Sequence, residues 1–196
     1  MGRHLSKETA AACIRETCTG CEIEGKLMCI HTKQDLLDFF IVVINIFVPF
    51  FAGMVAGAHW YGLLGWFVLA VIFFGYFEAL ILCRHCPHYA EEGRTLRCHA
   101  NWGLPKIPAY DPRPMNRTEQ IVWLISAAII MFYWIPFFIF AKQWIFLAWG
   151  LTSSVVSIYQ LLRTECNRCY MMSCPLNRTP EEIQQIFYKY YPEHRP

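Results

Sequence analysis

The stretch of sequence that decides the fold joins an apolar segment directly to a pair of cysteines. It reads AVIFFGYFEALIL over residues 70–82 and CRHCPHY over residues 83–89. The first part is apolar enough for the hydrocarbon region of a membrane, whereas the second carries two thiols and two imidazoles within seven residues. The junction therefore predicts a membrane helix that ends in a loop rich in potential metal ligands.

The composition of the whole chain agrees with a membrane protein. Of the 196 residues, 56% are hydrophobic and 16% are aromatic, and the mean hydropathy is +0.29. These values argue against an ordinary soluble domain. The formal net charge is only +2, from 17 Lys and Arg against 15 Asp and Glu, so we predict no nucleic-acid partner.

Four apolar stretches are each long enough to cross about 30 Å of hydrocarbon as a helix. Very short linkers join them in pairs, so we predict an all-α membrane protein whose four transmembrane helices form two hairpins in a lipid bilayer. The predicted spans are residues 36–58, 60–82, 121–140 and 144–162.

These spans divide the chain into five segments. Two are the transmembrane hairpins, and the other three are cysteine-rich segments on one face of the membrane. In chain order they are a cysteine-rich N-terminal segment at 1–35, the first hairpin at 36–82, a cysteine-rich loop at 83–120, the second hairpin at 121–162, and a cysteine-rich tail with a short amphipathic helix at 163–196.

The placement of positive charge predicts which side of the membrane the cysteine-rich segments occupy. Sixteen of the 17 Lys and Arg residues lie in these segments, and only Lys142 lies at a hairpin tip. Positive charge accumulates on the cytoplasmic side of membrane proteins. We therefore expect a multi-pass protein of the cell (inner) membrane with its cysteine-rich face in the cytoplasm.

All ten cysteines lie on that face, in three groups that each contain a CxxC pair. Two residues between cysteines allow both sulfurs to turn towards one metal, with backbone amides pointing at them. We predict that all ten are metal ligands: Cys13, Cys18, Cys21 and Cys29 in the first group, Cys83, Cys86 and Cys98 in the second, and Cys166, Cys169 and Cys174 in the third.

The cofactor is predicted to be an iron-sulfur cluster, most simply a 4Fe-4S cluster, or zinc. The N-terminal group has enough thiols for one site, and the other six supply a second. Two sets of four are open for that second site: Cys83, Cys86, Cys166 and Cys169, or Cys83, Cys86 and Cys98 with one distant partner. The Cys-Pro steps at Cys86 and Cys174 are typical of ferredoxin ligands.

Histidines lie beside several of these cysteines. Each of them is a possible substitute for a thiolate, but a histidine in a basic loop is more often simply solvated. We expect solvated side chains for His85, His88 and His99.

Three functions fit these residues. An iron-sulfur protein would pass electrons between a membrane pool such as quinone and a redox protein complex, either as a transfer subunit or as an accessory one. A zinc protein would be structural or sensory. A quinone-linked thiol/disulfide oxidoreductase would need its cysteines on the oxidising side, and hence an inverted topology.

Two carboxylates lie inside predicted spans, Asp38 near the start of the first span and Glu78 near the end of the second. Glu78 precedes Cys83 by about a turn, and a carboxylate at that depth is costly unless it has a function or a partner. We predict a proton or quinone site at Glu78, with pairing to Arg84 or Arg163 as the alternative. No catalytic residue is predicted.

The two halves of the chain carry related features. Each hairpin is followed by a CxxC pair, a third cysteine and a Pro-x-Asn-Arg-Thr string, at residues 114–118 and 175–179. This order resembles a weak internal repeat, and the alternative is that two such short strings arose by chance. In both strings the threonine is predicted to start a helix, Thr118 for the third span and Thr179, with Pro180 as the first helical residue, for the terminal helix.

Residues 83–115 resemble the cysteine-rich loop of uncharacterised four-span membrane proteins of anaerobic bacteria and archaea. The resemblance rests on the CxxCPxY start, on Cys98, on the step from Gly103 to Lys106 and on the closing Pro-Met. It implies a four-span architecture and no particular activity. The chain is also similar to four-span membrane quinol dehydrogenases in its span number and Cys-Pro motifs, but it has neither their C-x3-C-P spacing nor their separate ferredoxin modules.

Overall fold

A computed structural model describes residues 10–11 and 20–195 of the chain as a helical bundle. Four helices are long and apolar enough to cross a membrane: Lys33–Ala56, Trp60–His85, Arg117–Phe140 and Trp144–Thr164. We call them spans 1 to 4. The predicted all-α membrane fold of four spans in two hairpins is therefore confirmed.

Spans 1 and 4 are single helices, whereas spans 2 and 3 are interrupted. Span 1 is helix α1, Lys33–Ala56, and span 4 is helix α6, Trp144–Thr164. Span 2 consists of α2, Trp60–Ile72, a π-helical turn, Phe73–Phe77, α3, Glu78–Ile81, and a 3₁₀ turn, Cys83–His85. Span 3 consists of α4, Arg117–Phe132, and α5, Ile135–Phe140, with a break between them.

Little other regular structure accompanies the bundle within the described residues. A two-stranded antiparallel sheet pairs β1, Ala10–Ala11, with β2, Ile30–His31. Helix α7, Glu181–Tyr190, lies in the tail.

Spans 1 and 3 start with the same kind of cap. Thr32 caps α1 in a reciprocal capping box with Asp35, and Asn116 caps α4 in the same arrangement with Glu119. These side chains satisfy backbone N–H groups that the first helical turn leaves free. Asn116 is thus the cap of span 3, and the prediction of Thr118 was wrong by two residues.

The two hairpin tips also share one geometry. Each has a residue in the left-handed region, Ala58 with φ of 52° and Lys142 with φ of 56°, two residues before the tryptophan that starts the next helix. The two tips meet, since His59 Nε2 lies 3.3 Å from Gln143 Oε1. Gln143 also donates to the carbonyl of Gly53, at 3.0 Å.

Large aromatic side chains fill the interior of the bundle, while α1 packs mainly against α6. Phe50, Trp134 and Phe138 are almost completely buried. Asn45 donates a hydrogen bond from Nδ2 to Ser157 Oγ at 3.1 Å, which joins α1 to α6. Burial of aromatic surface and close helix contact therefore hold the two hairpins together.

Gly150 in α6 makes such close contact possible. A Cβ atom at this position would lie 2.6 Å from the ring of Trp134, which is nearly fully buried and has no room to move. We expect Gly150→Ala to lower the free energy of unfolding by about 1–3 kcal/mol, because the added methyl overpacks the core. The measurement is denaturant-induced unfolding in mild detergent.

The matched control is Gly75→Ala in span 2, where an added Cβ would meet nothing within 4 Å. A methyl group at that position should have little effect on stability. Equal stability of both variants would contradict the tight contact between α6 and Trp134.

A small second core forms on the cysteine face, outside the bundle. Helix α7 lies over the segment that precedes span 1, and its side chain Phe187 is fully buried there. The helix starts one residue later than predicted, with Pro180 as its cap, while Thr179 donates to the carbonyl of Cys169 at 3.1 Å. We call this core the tail core; its buried residues are Ile23, Leu27, Cys29, Tyr170, Ile183, Phe187, Tyr188 and Tyr191.

Candidate functional site

A cavity of about 310 Å³ lies at the cysteine end of the bundle, between all four spans and the loops that follow them. The end of span 2 together with the loop that follows it, and the tail after span 4, each contribute three cysteines to its wall. The six are Cys83, Cys86, Cys98, Cys166, Cys169 and Cys174. The second and third cysteine groups of the sequence therefore share one cavity.

The membrane side of this cavity is apolar. Each span contributes side chains to it, for example Val43, Phe74, Ala127 and Ile158 from spans 1 to 4 in turn. The cavity thus has two ends of different chemistry, a thiol-lined end at the loops and an apolar end between the helices.

Glu78 lies between these two ends and lines the cavity. The π-helical turn Phe73–Phe77 immediately precedes it, and such turns occur frequently at functional sites. Asn101 and Trp123 lie beside the carboxylate. Even so, Glu78 Oε2 and Trp123 Nε1 are buried without a hydrogen-bond partner among the described residues. The indole of Trp123 lies beside the carboxylate, so its N–H is one donor that Glu78 can reach.

The alternative of an ion pair between Glu78 and a neighbouring arginine was wrong. The guanidinium of Arg84 lies 3.6 Å from Asp111 Oδ2 and 3.4 Å from Glu119 Oε1. Arg163 lies over the ring of Tyr159, with its Cζ 5.4 Å from the ring centroid.

Asn101 connects two of the thiols. Its side-chain Nδ2 donates to the sulfur of Cys83, and its backbone N–H donates to the sulfur of Cys98, both at 3.3 Å. N–H groups directed at sulfur favour the thiolate form, which is the form that binds metal. Nothing in the spacing of the cysteines predicted this residue.

Burial dominates the protonation of the thiols that lie outside the spans. It raises the pKa of Cys98 and of Cys169 to about 11 each. It also raises the pKa of Cys86, Cys166 and Cys174. These thiols are protonated at neutral pH as long as no cation is bound, and a bound metal would displace their protons.

No group of three or more His, Cys, Asp or Glu side chains in residues 20–195 is arranged to hold a metal ion. The six thiols line the walls of the cavity and do not meet at one point. A preformed site for a single ion is thus absent from this part of the chain, and metal binding stays a prediction.

Three histidines, one before span 1 and two in the loop after span 2, pack beside the thiol end. The ring centroids of His31 and His88 are 4.2 Å apart, and those of His31 and His99 are 4.8 Å apart. His88 Nδ1 lies 2.7 Å from Glu91 Oε1, and His88 Nε2 lies 3.0 Å from the carbonyl oxygen of Met28. These rings are packed into the structure.

The expectation of solvated histidines was therefore wrong for His85 and His88, which are buried, and for His99, whose side chain is only 12% exposed. Burial and the neighbouring rings lower the pKa of His31, and burial and His88 lower that of His99 to about 4. Both imidazoles are neutral at neutral pH. They add no positive charge beside the thiols.

The two N-terminal cysteines that the structure describes lie away from the cavity. Cys29 is buried in the tail core and Cys21 packs against that core, and neither lines the cavity. Cys13 and Cys18 lie outside the described residues. The predicted N-terminal site stays a prediction.

No family model, curated protein or solved structure matches this chain. Its class is therefore defined by fold and site alone: a four-span helical membrane protein with a thiol-lined cavity at one end of the bundle.

Proposed function

We propose that the protein is a membrane-bound iron-sulfur electron-transfer subunit. It holds a cluster, most simply of the 4Fe-4S type, in the thiol-lined end of the cavity, and it passes electrons between a membrane pool and a cytoplasmic redox partner. One observation carries this proposal: six cysteines from two regions of the chain, separated by a whole hairpin, line one cavity. Cysteines that served only as small buried apolar residues would not be expected to gather around one cavity.

The distribution of the thiols around the cavity supports a cluster over zinc. Zinc draws its four donors to about 2.3 Å from a single ion. A 4Fe-4S cluster instead spreads its cysteine ligands over four irons, so the sulfurs stay farther apart. The six thiols come from two separate regions of the chain and line the wall of one cavity, which suits the wider arrangement.

The apolar end of the cavity suits a quinone as the membrane pool. A quinone ring entering between the spans would reach Glu78 and stay close to the thiol end. Reduction of a quinone to a quinol consumes two electrons and two protons. The cluster would deliver the electrons one at a time, and Glu78 would hand on the protons.

The charge distribution supports the orientation. The cysteine-rich segments carry 16 of the 17 Lys and Arg residues, which favours the cytoplasmic side of the inner membrane. A soluble or complexed redox protein would meet the cluster on that face.

The first test is the metal content of the full chain, purified without oxygen in mild detergent. We expect iron and acid-labile sulfide in equal amounts per chain, with a broad visible absorption that bleaches on reduction with dithionite. Zinc without colour would overturn the proposal in favour of a structural or sensory zinc protein. Cysteines that react with a membrane-impermeant label from outside the cell would instead support a thiol/disulfide oxidoreductase.

A further inference from the structure

The two hairpins repeat their structural features at a constant separation of 84 residues. The caps of spans 1 and 3, Thr32 and Asn116, have this separation. The caps of the second helix of each hairpin, His59 and Gln143, have it too, and these two residues contact each other at the tips. The correspondence therefore extends over whole helices and not only over the short strings of the sequence.

Spans 1 and 3 contribute equivalent residues to the wall of the cavity. Both spans start at the cysteine end, and buried and exposed positions follow one another in nearly the same order along them. Four residues of each span line the cavity, and they are the same four positions, 84 residues apart. The pairs are Phe39 and Trp123, Val43 and Ala127, Ile46 and Ile130, and Phe47 and Met131.

Spans 2 and 4 show the same correspondence with one shift. Phe74 and Ile158 line the cavity 84 residues apart, whereas the equivalent pairs beyond them are 83 residues apart. Those pairs are Glu78 and Leu161, Leu82 and Glu165, Cys83 and Cys166, and Cys86 and Cys169. The correspondence ends there, because the third cysteines, Cys98 and Cys174, are 76 residues apart.

The π-helical turn Phe73–Phe77 accounts for the shift. Its last hydrogen bond runs from the backbone N–H of Glu78 to the carbonyl of Phe73, five residues back. A hydrogen bond over five residues instead of four takes up one additional residue. Without such a turn, one more residue in the helix would rotate all following side chains by about 100°. The turn thus keeps Glu78 on the cavity side of span 2.

An approximate two-fold axis relates the two hairpins. A rotation that exchanges span 1 with span 3 and span 2 with span 4 converts a contact between spans 1 and 4 into one between spans 3 and 2. Both contacts exist, since Asn45 donates to Ser157 and Trp66 Nε1 donates to the carbonyl of Ile130 at 3.0 Å. Spans 1 and 3 run in the same direction, so the axis lies along the spans and passes through the cavity that both hairpins line.

We infer that the quinone binds on this axis, where equivalent side chains of both hairpins contact its ring. This site rests on the proposed function, which supplies the quinone. A quinone ring carries its two carbonyl oxygens on opposite sides, which suits a pocket with two equivalent walls. Glu78 breaks the equivalence, because its counterpart in the second hairpin is Leu161. The carboxyl that hands on protons therefore lies on one side of the ring.

The test compares two equivalent substitutions, Val43→Phe and Ala127→Phe, for binding of a short-chain quinone to the full chain in mild detergent, measured by isothermal titration calorimetry. Both residues line the cavity, so each added ring occupies part of its apolar end. We expect both variants to weaken binding by a similar factor, at least about tenfold. The matched controls are Ile44→Phe and Ala128→Phe, one residue further along, where both side chains are exposed. These two variants should bind like the wild type.

A photoreactive azidoquinone provides a second measurement on the wild type, which does not depend on how the variants fold. Peptide mass spectrometry should find the label in both hairpins. Weaker binding in only one of the two equivalent variants, or label confined to one hairpin, would refute binding on the axis and leave the proposed function intact. A wild-type protein that binds no quinone would refute both this site and the quinone as the membrane pool.

Discussion

Glu78→Gln is expected to slow electron transfer from the reduced protein to a quinone by at least about 100-fold, the lower end of what a positioned acid or base contributes. The carboxyl group lies buried between the thiol and apolar ends of the cavity, with one oxygen free of hydrogen bonds among the described residues. An amide of the same shape fills the same space but cannot pass on a proton. The measurement is stopped-flow oxidation of the dithionite-reduced protein by a short-chain quinone.

Asp38→Asn is the matched control. It makes the same chemical change, from acid to amide, at the cysteine end of the bundle. Asp38 lies near the start of span 1, where it is exposed and accepts a hydrogen bond from Gln34 at 2.9 Å. Its rate should equal that of the wild type, and both variants should keep their iron. An unchanged rate in Glu78→Gln would rule out a proton role for this carboxyl, and loss of iron in that variant would place Glu78 in the cluster site instead.

The number and pairing of the spans could be predicted because the apolar runs are long and the linkers between them are short. The start of span 1 could not be predicted in the same way. The helix begins at Lys33, three residues before the predicted start, since Thr32 and Asp35 cap its polar first turn. Hydropathy does not register such turns, because the energy of a cap comes from hydrogen bonds and not from apolar surface.

The candidate site could be predicted only as a set of donors. Spacing of two residues identified the CxxC pairs, but which thiols face one another depends on how the hairpins pack. The contact between His31, His88 and His99 depends on the same packing, and it was missed for that reason. Asn101 has no sequence signature at all, because its role follows from the fold of the loop around Cys98.

Phe187→Ala is expected to unfold the tail core while the four spans stay folded. The ring is fully buried, with its centroid 5.1 Å from that of Tyr170 and 4.9 Å from that of Tyr191. Removal of a buried phenylalanine side chain costs about 3–5 kcal/mol, which is a large share of the stability of so small a core. Hydrogen exchange read by mass spectrometry should show faster exchange in residues 181–191 and no change in the spans.

Lys189→Ala is the control on the same helix, because Lys189 is exposed and its loss should change stability by no more than about 0.5 kcal/mol. The effect of Phe187→Ala should also reach the cavity. Tyr170 joins the two sites, since it packs on Phe187, lines the cavity and has its ring centroid 5.5 Å from that of His88. If the proposed cluster occupies the cavity, a chelator should remove its iron faster from the variant with the unfolded tail core than from the wild type. Equal rates of iron loss would show that the bundle and loops alone close the cavity.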